Sequence, residues 1–274
     1  MSLKMHRDIV SGFESGSAGE LSMNDSFNFE CDDRCMGRCC TNIKILLDPW
    51  DVESMARHLG IAGREFIDRY CALEEDPQTG WPYVKLADAE IGPCVFLMED
   101  GKCTVYPARS RNCRTYPVGR AVRFLPDGKK EEKYFMVERQ PFCLGFGSSR
   151  QWTLGQWLDD AESRKFYERS DLYFEMVSYA INQLECRRWM SGRTARMIMP
   201  FLYGPDLLRE KMGISVEDVG HEEFHRRRIK AVKALLTDLA AGFGFGPLAV
   251  AAGGKELEDM GVMDRVKGIL KSGE

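Results

Sequence analysis

The sequence predicts an α+β protein. A cysteine-rich, metal-centred core of helices and short β-hairpins is expected over residues 27–160, followed by a mainly helical part over 161–274. Three observations carry this expectation. The stretch CDDRCMGRCC places Cys31, Cys35, Cys39 and Cys40 within ten residues. Apolar runs then reverse at Asp100-Gly101 and again at Asp127-Gly128, which is a hairpin signal. From about residue 153 the apolar positions recur at helical steps.

Residues 1–26 are rich in Gly, Ser and charge and read as a flexible lead-in. After the thiol cluster, IKILL (43–47) suits a short buried strand. Asp48-Pro49 opens a helix, because Asp is a favoured cap and Pro fits the first turn. Val52, Met55, Ala56 and Leu59 give that helix one apolar face, and Gly60 ends it. A second helix over about 63–72 carries Phe66, Ile67 and Tyr70. CVFLMEDGKCTVY and AVRFLPDGKKEEKYFMVE are the two expected hairpins. Helices follow in TLGQWLDDAESRKFYE, DLYFEMVSYAINQLECRRWM and SVEDVGHEEFHRRRIKAVKALLTDLA. Residues 240–254 read as an irregular spacer, and a short helix over about 255–271 closes the chain.

A chain of 274 residues, 44% of them hydrophobic, can build a core without covalent staples, so its ten cysteines need another explanation. The first twenty residues show no apolar signal segment, and no run of eighteen apolar residues exists. The expectation is a cytoplasmic protein with no membrane partner and reduced thiols. Clustered cysteines there serve as metal ligands or redox centres more often than as disulfides. The net charge of −4 argues against nucleic acid as a partner.

The cluster reads C-x3-C-x3-C-C, with Cys94, Cys103, Cys113 and Cys143 further on. A soft metal needs several thiolates converging on one point, and short spacings let one loop deliver them. Gly37 permits the positive φ that such a loop needs, and Arg34 and Arg38 favour thiolate over thiol. Adjacent cysteines such as Cys39 and Cys40 usually point apart. They share one centre only across a sharp turn, and otherwise serve two metals or a cluster of several irons. Eight cysteines would suit two four-cysteine sites or one extended polynuclear site. Cys71 and Cys186 fall in helical patterns and read as core thiols.

These pieces resemble the bacterial CxxCxxCC cysteine-cluster family, the YkgJ-like group regarded as zinc- or iron-chelating. The resemblance runs from Phe29-x-Cys31 through Cys40, IKILLDPWDVESMARHLGIAGREFIDRY, Cys94-Val-Phe-Leu and GKCTVYPARSRNCRTYP to Cys143-Leu-Gly-Phe-Gly. It implies Cys31, Cys35, Cys39, Cys40, Cys94, Cys103, Cys113 and Cys143 as metal ligands. It implies Tyr106, Arg109, Arg114, Tyr116 and Pro117 as the shell around them. Two departures stand out: each early gap holds three residues where the family has two, and Ser110 replaces a proline after Arg109. Distant relatives of the flagellin lysine methylase belong to the group. The resemblance therefore implies an iron–sulfur cluster or Zn2+, with S-adenosylmethionine as a further cofactor to consider.

Iron–sulfur ligation tolerates a tight run plus remote cysteines, and the basic residues Arg34, Arg38, Arg109, Arg111 and Arg114 would offset its negative charge, so it is favoured over zinc. Such a centre would serve redox chemistry or the modification of a protein substrate, with that substrate or a redox partner as the interacting protein. The alternative is a non-catalytic zinc module for protein interaction. A radical S-adenosylmethionine loop is missed by one residue. His221-Glu222-Glu223-Phe224-His225 matches the H-E-x-x-H of zinc peptidases, but Arg226-Arg227-Arg228 follows at once and suits a solvated helix. No G-x-S-x-G, Walker A or Rossmann fingerprint is present.

Overall fold

A computed structural model of the chain describes residues 19–87, 89, 91–125, 128–247 and 261–273. Its strands are β1 (Glu20–Leu21), β2 (Ser26–Asn28), β3 (Leu46–Leu47), β4 (Cys71–Glu75), β5 (Pro82–Leu86), β6 (Val118–Phe124), β7 (Lys130–Met136) and β8 (Gln151–Thr153). Its helices are α1 (Pro49–Leu59), α2 (Gly63–Tyr70), α3 (Arg111–Thr115), α4 (Leu154–Asp160), α5 (Ser163–Asn182), α6 (Gly192–Tyr203), α7 (Pro205–Met212), α8 (His221–Gly242) and α9 (Val262–Ser272). The strands form small sheets ordered β1-β7-β6, β2-β8 and β3-β5-β4. The fold is α+β with a helical C-terminal part.

Local chemistry explains the elements that match expectation. Asp48 caps α1 by accepting from the Asp51 amide, Asp51 returns the bond, and Gly60 closes the helix in the left-handed region at φ 69°. Strands β6 and β7 pair antiparallel from Val118↔Met136 to Phe124↔Lys130. Asp127, in the turn between them, lies outside the described residues, as do residues 1–18 of the lead-in and 248–260 of the spacer and final helix.

Other elements differ. Residues 94–106 reverse at Gly101 (φ 82°) but form a single bridge, Leu97↔Cys103, rather than paired strands. Phe96 and Val105 are buried there while Val95 and Met98 are exposed, and two backbone bonds, from the Met98 amide to the Lys102 carbonyl and from the Thr104 amide to the Phe96 carbonyl, tie the reversal. The second helix stops at Tyr70, and Cys71 opens β4 instead of extending it. Glu162 at φ 50° breaks the helical run after 153 into α4 and α5. Helices α6 and α7, unmarked in the sequence reading, occupy 192–212. Pro200 and Gly204-Pro205 obscure their periodicity, while the Ser191 side chain caps α6 by accepting from the Thr194 amide.

The chain divides into two compact units. The first, here the cysteine unit, comprises the described part of Met1–Leu47 with Tyr70–Ala72 and Lys85–Tyr167. Its core joins Val118, Tyr134, Leu154, Leu158 and Tyr167, with Leu21, Phe27, Met136 and Trp157 packed against them. Residues 20–21 of the expected lead-in are thus pinned as β1 on β7. The second, the helical unit, comprises Asp48–Arg69, Leu73–Val84 and Glu168–Glu274. It fully buries Val52, Phe66, Ile198, Phe224, Val232 and Leu236, each worth ~1.5–3 kcal/mol of transfer free energy.

The helical unit also buries charge. The run Arg226-Arg227-Arg228 is not a solvated strip: Arg228 is 0% exposed. Its guanidinium pairs with Glu53, itself buried, and donates to the carbonyls of Phe201 and Leu202. Burial on both sides makes this pair a fixed structural contact rather than a surface bridge.

Candidate metal centre

An aromatic hub positions the cysteine segments. Phe29 packs edge-on against Tyr116, Phe146 and Trp157, with ring centroids 5.3–5.8 Å apart. Trp152 Nε1 donates to the Phe29 carbonyl and Trp157 Nε1 to the Thr115 carbonyl, each at 2.9 Å. Gly145 must lack a side chain here, because a Cβ would lie 2.7 Å from the Phe29 ring and 2.9 Å from the Glu30 carbonyl. The hub therefore ties together the segments that deliver Cys31, Cys113 and Cys143.

The tight cluster folds as two 3-10 turns, Asp33–Cys35 and Arg38–Cys40, so each three-residue gap closes in a turn that ends on cysteine. Between them Gly37 sits at φ 81°. A Cβ there would come within 3.0 Å of both Gly101 Cα and Leu97 Cδ1. Two glycines with positive φ thus let the 31–40 loop lie directly on the 94–103 turn. Backbone bonds fix that approach: the Cys94 amide donates to the Cys40 carbonyl at 2.8 Å, and Thr41 bridges Pro93.

None of the ten cysteines forms a disulfide. Eight of them gather around the sharp turn at Cys39 and Cys40. Burial raises the Cys31 thiol most, and the nearby Cys39, Cys35 and Cys143 raise it further. Cys40 donates to Cys39, which lowers Cys39 to about 7 and raises Cys40. Cys113 and Cys94 also act on Cys40, and Cys103 acts on Cys94. Adjacent cysteines do not point apart here: the 3-10 turn brings their sulfurs together.

The residues implied as a shell divide by role. Arg109 stacks over Tyr106 at 3.8 Å, and its charge works against the burial that raises Cys103. Tyr116 buries its hydroxyl beside Cys143, and burial together with that thiol raises it. This hydroxyl has no hydrogen-bond partner among the described oxygen and nitrogen atoms. Arg114 serves the scaffold: it donates to the Ala161 and Pro107 carbonyls and lies over Phe166 at 4.1 Å. Ser110, in the family's proline position, caps α3 by accepting from the Cys113 amide at 3.4 Å. The Leu144 amide donates to Cys35 Sγ at 3.4 Å, a contact sequence reasoning missed and of the kind that tunes thiolate-bound metals. Arg34 is drawn into a pair with Asp32 at 2.6 Å.

Cys71 and Cys186 stand apart from this group. Burial pushes Cys71 up to about 12 and Cys186 up to about 11, and Cys186 donates to the Thr79 carbonyl at 3.5 Å within the helical unit.

The donor set is all thiol, which suits a structural zinc site or an iron–sulfur cluster. Among the described residues no three His, Cys, Asp or Glu groups stand close enough together to hold an ion as their side chains lie. The thiols are gathered but not closed on a point.

Residues 30–144 match the family model CxxCxxCC, described as a "Putative zinc- or iron-chelating domain". Those residues belong to the CxxCxxCC family. Metal binding of the zinc or iron kind goes with that membership. No solved structure matches the chain. The CxxCxxCC domain covers the eight gathered cysteines and leaves the C-terminal helices outside it. No helix among the described residues is long and apolar enough to cross a membrane.

The H-E-x-x-H pair lies in those helices and does not converge. His221 Nδ1 faces Glu53 Oε1 at 3.3 Å. His225 is fully buried against Trp50, with Nε2 at 3.2 Å from the Arg169 carbonyl and Nδ1 at 3.4 Å from Arg228. Glu222 pairs with Arg169.

Proposed function

We propose that the CxxCxxCC domain holds an iron–sulfur centre in the thiolates of Cys31, Cys35, Cys39, Cys40, Cys94, Cys103, Cys113 and Cys143, and that the protein serves redox or protein-modification chemistry on a partner protein in the cytoplasm. One observation carries the reading: thiols from four separate segments act on one another around the Cys39–Cys40 turn. The Leu144 amide on Cys35 and the Arg109 charge near Cys103 favour thiolates carrying extra negative charge, which suits a cluster of iron and sulfide. Cys31 and Cys113 are exposed, so a centre held by them would lie within reach of a docked partner. An iron–sulfur centre, when bound, exchanges single electrons. The protein's own contribution is to hold and orient the thiolates, donate amide hydrogen bonds to them and set their local charge.

The test is metal and acid-labile sulfide content, with a visible spectrum, on protein purified without oxygen. Brown protein with iron, sulfide and sulfur-to-iron charge-transfer bands is expected. Colourless protein with stoichiometric zinc would replace the redox reading with a structural zinc module.

A further inference from the structure

We infer that the helical unit carries a binding site for a phosphate-type oxyanion where α2, α7 and α8 begin. The site contains none of the cysteines and stands independently of the metal reading above.

A small cavity in that unit is lined by Gly63, Pro205 and His221, the first residues of α2, α7 and α8, together with Arg57, Arg209, Glu53 and Asp206. A helix start offers unpaired amides and the positive end of the dipole, and three such starts meet here. The chain already sets one carboxylate in this field: Asp206 Oδ2 accepts from the Gly63 amide at 2.9 Å. Glu53 is engaged by Arg228 and stands beside His221 Nδ1. The charge left over is positive. Arg57 lies over Trp50 at 5.3 Å, and its guanidinium makes no hydrogen bond or ion pair among the described residues. Arg209 is 8% exposed and donates to the Ser215 and Val219 carbonyls, while its buried Nε has no partner. Burial lowers Arg209 most, and the charges of Arg228 and Arg57 lower it further against those of Glu53 and Asp206. A bound anion would supply the missing counter-charge and acceptor together.

Size and direction choose the ligand. The cavity volume of about 10 Å3 takes one oxygen-sized group, so it excludes a large organic cofactor and admits the tip of an oxyanion whose body lies toward solvent. The donor residues come from α1, α7 and α8 rather than from one segment, which suits a tetrahedral phosphate better than a flat carboxylate. The same phosphoryl chemistry is offered by free phosphate and by a phosphate ester on a larger molecule.

The experiment titrates the full-length protein as purified with sodium phosphate and, separately, with glycerol 3-phosphate, by isothermal titration calorimetry at constant ionic strength. Saturable binding of about one equivalent is expected. Arg57→Gln removes an exposed side chain and should weaken both ligands about tenfold, the loss of one charge-assisted hydrogen bond. Arg64→Gln, on α2 but outside the cavity and paired with Asp68, should leave both affinities unchanged. Far-ultraviolet circular dichroism checks that each variant keeps its helices. Tighter binding of phosphate would mark the free ion as the occupant, and tighter binding of glycerol 3-phosphate a phosphoryl group carried on a larger molecule. No saturable binding of either, or binding that Arg57→Gln leaves intact, would overturn the site.

Discussion

The two units bury reactive groups in opposite ways. In the helical unit the buried charges meet polar or opposite groups of the same unit: Arg228 meets Glu53 and two carbonyls, although its Nε finds no hydrogen-bond partner among the described residues, and His225 meets a carbonyl and a guanidinium. In the cysteine unit clustered thiols, from exposed to buried, act on one another and raise Cys31 and Cys40, and Tyr116 keeps a buried hydroxyl without an oxygen or nitrogen partner. The difference teaches where each unit's stability resides. One carries its counter-charges in its own sequence, whereas the other has gathered like groups that a cation would turn from repelling neighbours into ligands.

Stripping metal should have the largest effect and act on one unit. A structural thiolate site contributes on the order of 10 kcal/mol of folding free energy, so chelation should collapse hydrogen-exchange protection at Cys35, Cys40 and Cys94 while α1 and α8 keep theirs. Unchanged protection at Cys35 in metal-free protein would break the comparison.

Next in size is Arg228→Met. It leaves the buried Glu53 carboxylate with only His221 beside it at 3.3 Å, in place of a permanent cation, and should cost about 3–5 kcal/mol in chemical denaturation. Arg226→Met, at a mostly exposed side chain, should stay within about 0.5 kcal/mol. Equal effects would show that the buried pair is not the anchor.

A pH series sharpens the same contrast. Burial, then the Arg228 charge, depresses His225 from 6.5 to about 4. The unfolded chain therefore binds more protons between those values. The stabilisation is full above about 6.5 and is lost as pH falls toward 4, by up to ~3 kcal/mol. His225→Gln should flatten that slope in a thermal-unfolding series. A slope that survives the substitution would assign it to another group.

Smallest is Gly37→Ala, expected to cost about 1–3 kcal/mol because positive φ and contact with Gly101 act together. Gly128→Ala shares the φ of 81° but meets nothing within 4 Å, and should cost only ~1–2 kcal/mol. Metal affinity should fall for Gly37→Ala and hold for Gly128→Ala, as read by competition with a chromophoric chelator.

Much of this was legible in the residues. The Asp48 cap and Gly60 stop of α1, the β6-β7 hairpin and the four thiols of CDDRCMGRCC are statements about neighbours a few positions apart, and local chemistry decides them. The α6–α7 region was not legible, because Pro200 and Gly204-Pro205 read as breakers until packing supplied the reason to stay helical. The Arg226-Arg227-Arg228 run misled for the same cause: nothing local says that the third arginine will find Glu53, 175 positions away.

The sequence by itself determined that many thiols lie close along the chain, that α1 and the main hairpin form, and that an all-thiol donor set would select a soft metal. The tertiary structure decided which thiol meets which. It set Leu144 on Cys35 across 109 positions, laid Gly37 on Gly101, and turned Cys39 and Cys40 toward each other while giving them different neighbours. The physical reason is that capping, turns and periodicity act within a few residues, whereas ligand geometry depends on contacts that exist only once the core has closed.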